Sequence, residues 1–368
     1  MKKVIFISAL AIAAAVSCTK SDIVDTKFNE QIGFETYVGR DAMTKASVEN
    51  ATTLQATGFG VYGFYTGKDS FVGSSSKINL WANDKVTYTQ VTEDETTKWV
   101  WSPATPKFWT NETDQYTFLA YAPFANENNI NPSGAIDGTV PTVSFAVPEK
   151  IEDQVDLLYS NNLINTKKGA TALVFNHALS RITVKAKDNI ANDDFTYKVY
   201  GVQLKGDFIA QSTLTLWNNA WATNAKATTQ NYVIKPYNSE TVNGVETPKV
   251  DGISLTEADY DFATFVKDGE ANDNYIMVIP VSVKDAELIV TYTTSFKGQE
   301  STPMTKTVKV TEEFAQGKAY SLNLAFAPNT TDTITFTISV TEWKAEGENA
   351  ADNSETPVTP TPSNPVVA

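Results

Sequence analysis

The feature that most constrains this chain is a period of two. From about residue 31 to residue 340, short runs alternate apolar and polar positions and are broken by Gly, Asn, Asp and Pro. Antiparallel strands with one buried face are written this way. Ile32, Phe34 and Val38 alternate with Gly33, Glu35 and Tyr37, and Val61-Tyr62-Gly63-Phe64-Tyr65, Val86-Thr87-Tyr88-Thr89 and Tyr116-Thr117-Phe118-Leu119-Ala120-Tyr121 follow. Further runs fall at 143–147, 156–160, 179–187, 197–204, 212–216, 275–279, 288–292, 305–310, 320–326 and 334–340. Thr, Tyr, Val and Phe, the residues strands favour, dominate them, while the 3.6-residue period of helices is nearly absent. The expected fold class is all-β.

The polar stretch 161–169 divides the runs into two groups. Roughly 340 residues remain after N-terminal processing, more than one core ordinarily serves. Two β-sandwich domains are therefore expected, at 31–168 and 169–343. Residues 344–368 are acidic and then rich in Pro, Thr and Ser. Such a segment buries too little apolar surface to order itself, so a disordered tail is expected.

The N-terminus predicts the compartment. Lys2 and Lys3 precede an apolar run, 4–16, that ends in Ser17-Cys18. The run is too short to span a bilayer and reads as the core of a signal peptide, 1–17. Ala15-Val16-Ser17-Cys18 resembles a bacterial lipobox, in which the cysteine becomes a diacylated N-terminus, here followed by a polar linker, 18–30. Attachment to the outer membrane through a lipid on Cys18 is expected. Cys18 is the one cysteine, so no internal disulfide is available. A net charge of −14 argues against nucleic acid, whose phosphates need Lys and Arg, and suits a solvated surface protein.

Catalytic constellations are hard to assemble from these residues. One histidine, His177, and one cysteine leave no structural zinc site, and His177 reads as a packing or capping residue. The acids cluster in loop-like sequence such as Glu93-Asp94-Glu95 and Asp193-Asp194, without the spacing of an EF-hand loop. No glycine-rich phosphate loop joins a strand to a helix. The reading is of a protein that is not an enzyme, with no metal and no cofactor. Among seven tryptophans, Trp217 and Trp221 are the most loop-like pair and are candidate glycan-stacking residues, although strand tryptophans are more often core.

Several stretches form a set in fixed order: Phe108-Trp109, Tyr116 to Pro123, Asp156-Leu157-Leu158-Tyr159, and Phe175-Asn176-His177-Ala178-Leu179-Ser180-Arg181-Ile182. Ile276-Met277-Val278-Ile279-Pro280, Phe314-Ala315-Gln316-Gly317-Lys318-Ala319-Tyr320 and Ile334-Thr335-Phe336 leading to Trp343 complete it. The set resembles the fimbrillin family of Bacteroidales, lipoprotein precursors of type V pili, over about residues 30–343. The resemblance implies two transthyretin-like β-sandwich domains and export to the outer membrane and cell surface. It further implies removal of the N-terminal segment by an arginine-directed protease, after which a strand from another subunit fills the opened groove. The expected function is a structural subunit of a fimbria whose partners are other fimbrial subunits. The alternatives are a pilus-tip adhesin or glycan-binding lipoprotein that does not polymerise and meets a host or bacterial surface ligand, and a carbohydrate-utilisation surface lipoprotein.

Only two arginines occur, Arg40 and Arg181. Arg181 heads an apolar strand pattern. Arg40 follows the first run between Gly39 and Asp41, as an exposed loop should, and is the expected cleavage site. Lys45, in Thr44-Lys45-Ala46 where many family members carry arginine before alanine, is the alternative. At the other end, Ile334, Phe336, Ile338 and Val340 share one face and form a candidate donor strand with the same period as 31–38. The competing expectation is that this run is the last strand of its own domain.

Overall fold

The computed structural model describes residues 30–343 apart from 39–50, 94, 112, 126–128, 162–170, 190–193, 224, 226, 235–238, 243–244, 249–251, 268–269, 274 and 328–333. Nearly all regular structure is β. The first half contributes β1 (Phe34–Val38), β2 (Phe59–Gly67), β3 (Trp81–Glu93), β4 (Thr96–Pro103), β5 (Gln115–Ala122), β6 (Ile130–Ser133), β7 (Thr142–Ala146), β8 (Leu158–Ser160) and β9 (Thr171–His177). A short helix, α1 (Ala51–Thr57), precedes β2. It buries Leu54 and ends at Gly58, whose φ of 73° turns the chain into the strand. A side chain there would strike the Val86 carbonyl oxygen at 2.5 Å, so the position demands glycine.

The second half opens with β10 (Ser180–Asp188), β11 (Phe195–Ile209), β12 (Gln211–Thr215), β13 (Ala220–Trp221) and β14 (Ala227–Ile234). Short pieces follow: β15 (Ser239–Val242), β16 (Val245–Pro248), β17 (Ile253–Ser254), β18 (Tyr260–Asp261), β19 (Thr264–Lys267) and β20 (Glu270–Asp273). The chain then runs through β21 (Ile276–Val278), β22 (Val281–Phe296), β23 (Gln299–Glu300), β24 (Met304–Phe314), β25 (Lys318–Phe326) and β26 (Ile334–Glu342).

Seven strands close on one another in the order β1-β4-β3-β2-β5-β8-β9. The two layers of a sandwich are here joined at both edges, and β1 makes the second join. It runs parallel to β9 over five residues, from Phe34 opposite Thr171 to Val38 opposite Phe175, and meets β4 antiparallel at Phe34 opposite Trp101. The interior is aromatic, with Phe59, Trp81, Trp109, Tyr116 and Phe118 all buried. In the second half, β10 and β25 run parallel with β26 beside β25, while β22 pairs with β11 and with β24. Inward positions such as Ile182, Val184, Val202, Leu204, Leu288, Val290, Leu322 and Leu324 fill the core between these sheets.

The halves share a third core. β12, from the second half, pairs with β7 of the first, Leu214 opposite Val143. Val143, Phe145 and Leu179 pack there with Leu214, Leu216, Met277, Ile279 and Trp343. The connection 162–170 is followed at once by β9, which belongs to the first-half barrel through β1 and β8.

Candidate functional site

The expected first strand is held at both ends. Before β1, the Trp109 N–H donates to the Glu30 carbonyl at 3.0 Å and the Ile32 N–H to the Lys107 carbonyl at 2.8 Å. Ile32 is fully buried. Within β1, Phe34 sits edge-on to Phe59 at 5.9 Å and to Phe118 at 5.4 Å, with Trp81 at 5.7 Å. Burial of Ile32 and Phe34 contributes about 3–6 kcal/mol before ordering costs. The alternating residues Glu35 and Tyr37 are exposed, with the Tyr37 hydroxyl donating to Glu35 at 3.1 Å. β1 is thus short, period-two and placed at the barrel's closing seam. Arg40 and Lys45 follow it directly in sequence and lie outside the described residues, as do Cys18, the signal peptide and the tail 344–368.

β26, which carries the candidate donor residues, pairs antiparallel with β25 from Ile334 opposite Phe326 to Glu342 opposite Lys318. It ends the sheet order β18-β10-β25-β26. Ile334 is buried, Phe336 and Ile338 are half-buried, and Val340 is 42% exposed. The apolar face loses cover along the strand. The far end is pinned by a Lys318–Glu342 ion pair and by Trp343, which is buried. The Trp343 indole stacks on His177 with centroids 4.0 Å apart and planes 3° from parallel, and the Trp343 backbone N–H donates to the Gly317 carbonyl at 2.8 Å.

His177 occupies the join between halves. Its Nδ1 lies 2.8 Å from the Asp156 carboxylate, both groups buried. The Arg181 guanidinium lies over the Tyr275 ring at 4.3 Å and 5.4 Å from the Trp343 ring, so this arginine is engaged inside a sheet rather than offered in a loop. The sequence pointed to His177 as packing but carried no sign that Asp156 and Trp343 would complete the cluster. Those three residues come from β9, the segment before β8 and the end of β26, which only the tertiary fold brings together.

Neither candidate glycan tryptophan stands clear of the protein. Trp217 is half-buried against Gly73, where a Cβ would meet its ring at 2.3 Å. The Trp221 indole N–H donates to the Ala178 carbonyl at 3.0 Å. Both pack on the shared core. At the opposite end of the barrel's β2–β5 pair, Asp114 accepts from Tyr65 and Asn111 and pairs with Lys68 at 2.8 Å. Bonds from Lys68, Tyr65 and Asn111, in that order, hold its carboxyl down to about 2. Burial instead pushes the Tyr121 phenol up to about 12. These groups brace strands; among the described residues no cluster of His, Cys, Asp and Glu could hold a metal. No helix among them is long and apolar enough to cross a membrane.

The fold defined by these strands has a solved counterpart. It is similar to the crystal structure of a fimbrial protein from Bacteroides vulgatus, with a TM-score of 0.64 at 20% identity, covering 86% of this chain and all of that one. The profile described as fimbrillin-like matches residues 44–343, and the chain belongs to that family. A curated relative, fimbrium subunit Fim1C of Phocaeicola vulgatus, is 25% identical over 241 residues. That match spans 60% of this chain and 59% of the relative's length.

Proposed function

We propose that this chain is a structural subunit of a cell-surface fimbria, exported as a lipoprotein and assembled by strand exchange. The observation that carries the reading is the unequal use of two period-two strands. β1 fills the closing seam of the barrel, while β26 lies at a sheet edge with Val340 42% exposed and Phe336 and Ile338 half-covered. Removal of 30–38 would leave the edges of β4 and β9 open and the pocket of Ile32 and Phe34 empty. A neighbour's β26 brings four apolar side chains of matching period, worth on the order of 6–12 kcal/mol when buried, together with ladder hydrogen bonds. The gain over the home position comes from Val340 and the uncovered parts of Phe336 and Ile338, since Ile334 is already buried there. The partners in this reading are further subunits of the same fibre.

In this account a signal peptidase leaves Cys18 lipidated and places the precursor on the outer membrane. Cleavage after Arg40 then releases both the lipid anchor and β1. The alternative at Lys45 has the same consequence. The units 31–168 and 169–343 function as receiver and donor, with β9 working on the receiver's side.

Sequencing the N-terminus of protein sheared from the cell surface tests the pathway. A start at Asp41 supports cleavage after Arg40, and a start at Ala46 moves the site to Lys45. A start at Cys18 in polymerised material contradicts strand release. Metabolic labelling with a fatty-acid analogue tests the anchor: label must enter the precursor and be lost in Cys18→Ala.

A further inference from the structure

The β3–β4 hairpin carries a face that the fibre reading does not use. Its register sets Tyr88 opposite Trp101, Gln90 opposite Trp99 and Thr92 opposite Thr97, so these six side chains project to one side. Trp101 is buried in the barrel core, but cover falls away outward and Trp99 is 57% exposed. The Trp99 ring lies on Tyr88, centroids 5.3 Å apart and 17° from parallel, and Tyr88 is braced by Trp101 at 5.0 Å. Gln90 is exposed beside this platform, and the hydroxyls of Thr92 and Thr97 are hydrogen-bonded to each other at 3.2 Å. None of the six is charged. β1 meets β4 only at Trp101, so among the described strands none lies along the outer part of β4.

We infer that this face is a binding site for a neutral oligosaccharide, one pyranose stacking on Trp99 and its neighbours meeting Gln90 and the Thr92–Thr97 pair. A pyranose presents C–H groups on a flat side and hydroxyls at its rim. It needs a rigid ring beneath and neutral donor-acceptors alongside, and a Trp already stacked on Tyr88 loses little freedom on binding. A charged ligand would meet no counter-charge here. A protein partner is disfavoured by size, since two rings and three small polar side chains fall well short of the roughly 1,000 Å² that a stable interface buries. Trp99 and Thr97 are one two-residue step apart, about 6.7 Å along the strand, so the row accommodates one further sugar unit beside the one on Trp99. The site is separate from Trp217 and Trp221, which the shared core holds.

The test uses the full exported chain with cellotriose, chitotriose and N-acetyllactosamine, read by saturation-transfer NMR and tryptophan fluorescence. At least one of the three should bind saturably below about 10 mM. Trp99→Ala should weaken that binding by about tenfold or more, Trp99→Phe by no more than about threefold, and Trp217→Ala not at all. Because Trp99 is exposed, the melting temperature of Trp99→Ala should match the parent, which separates loss of a site from loss of fold. Absence of saturable binding by all three sugars, or equal binding by Trp99→Ala, overturns the inference. A change of oligomeric state in Trp99→Ala on sedimentation also overturns it, because the face would then be a protein contact.

Discussion

β1, five residues long, and β26, nine, share a period of two and each set a phenylalanine on their apolar face, yet the molecule uses them differently. β1 buries Phe34 among aromatic rings, with Ile32 buried just before it, and closes a barrel, whereas β26 buries only Ile334 and lies at a sheet edge. The difference teaches that period alone predicts a strand but not how strongly its domain depends on it. Dependence comes from what surrounds each side chain, and by that measure the first strand is structural cement at home while the last holds apolar surface in reserve.

The comparison can be broken by substitution. Phe34→Ala should have the largest effect, a loss of about 3–5 kcal/mol in the uncleaved precursor, because the Phe59, Trp81 and Phe118 rings that surround it cannot close the gap. Denaturant melts of the purified precursor measure this. Trp343→Ala should come next, at about 2–4 kcal/mol, since it strips the stacked ring from His177 and uncovers the Asp156 pair. Phe336→Ala should cost only about 1–2 kcal/mol, as its side chain is half in water. A Phe336 cost equal to that of Phe34 would remove the asymmetry on which the account rests.

Val340→Asp sharpens the comparison from the other side. At 42% exposure the substitution should leave monomer stability within about 0.5 kcal/mol. In the assembled fibre the same position would be buried, where an unpaired carboxylate is costly, so the oligomer ladder on unboiled gels should shorten or vanish. An unchanged ladder with an unchanged melt would take Val340 out of any exchanged face.

Much of this architecture was legible in the sequence. The runs 61–65, 116–121, 143–147, 320–326 and 334–340 fall within or overlap β2, β5, β7, β25 and β26; alternation reports which face is buried in β7 and β25, whereas β2 and β5 are buried on both faces and are legible through their strand-favouring residues. Pairing was not legible. The parallel pairs β1·β9 and β10·β25, and the β7·β12 contact across the two halves, join residues far apart in the chain, and a period of two is the same whichever partner a strand takes. For that reason β9 reads as the opening of the second unit although it pairs within the first. Helix α1 is a single short piece, too brief to establish a period. Among site residues, His177 was correctly read as packing, whereas Trp217 and Trp221 owe their loop-like sequence to a turn that tucks them against the shared core. The exposed tryptophan is Trp99, hidden in sequence because its strand alternates like any other.

Strand exchange is tested most directly by a cross-link between two differently marked chains. One chain carries Val174→Cys on β9, beside Tyr37 of β1 in register, and the other carries Val340→Cys on β26; both positions are partly exposed. In this account cleavage after Arg40 would remove Cys18, so each mature chain would hold one cysteine and any covalent pair between the two marks would be intermolecular. Fibres sheared from cells expressing both chains are treated with a short bis-maleimide and examined for the mixed dimer. The account predicts that dimer in fibres and its absence when Arg40→Ala and Lys45→Ala keep β1 in place; intact fibres that yield no mixed dimer would contradict the transfer of β26 into the seam left by β1.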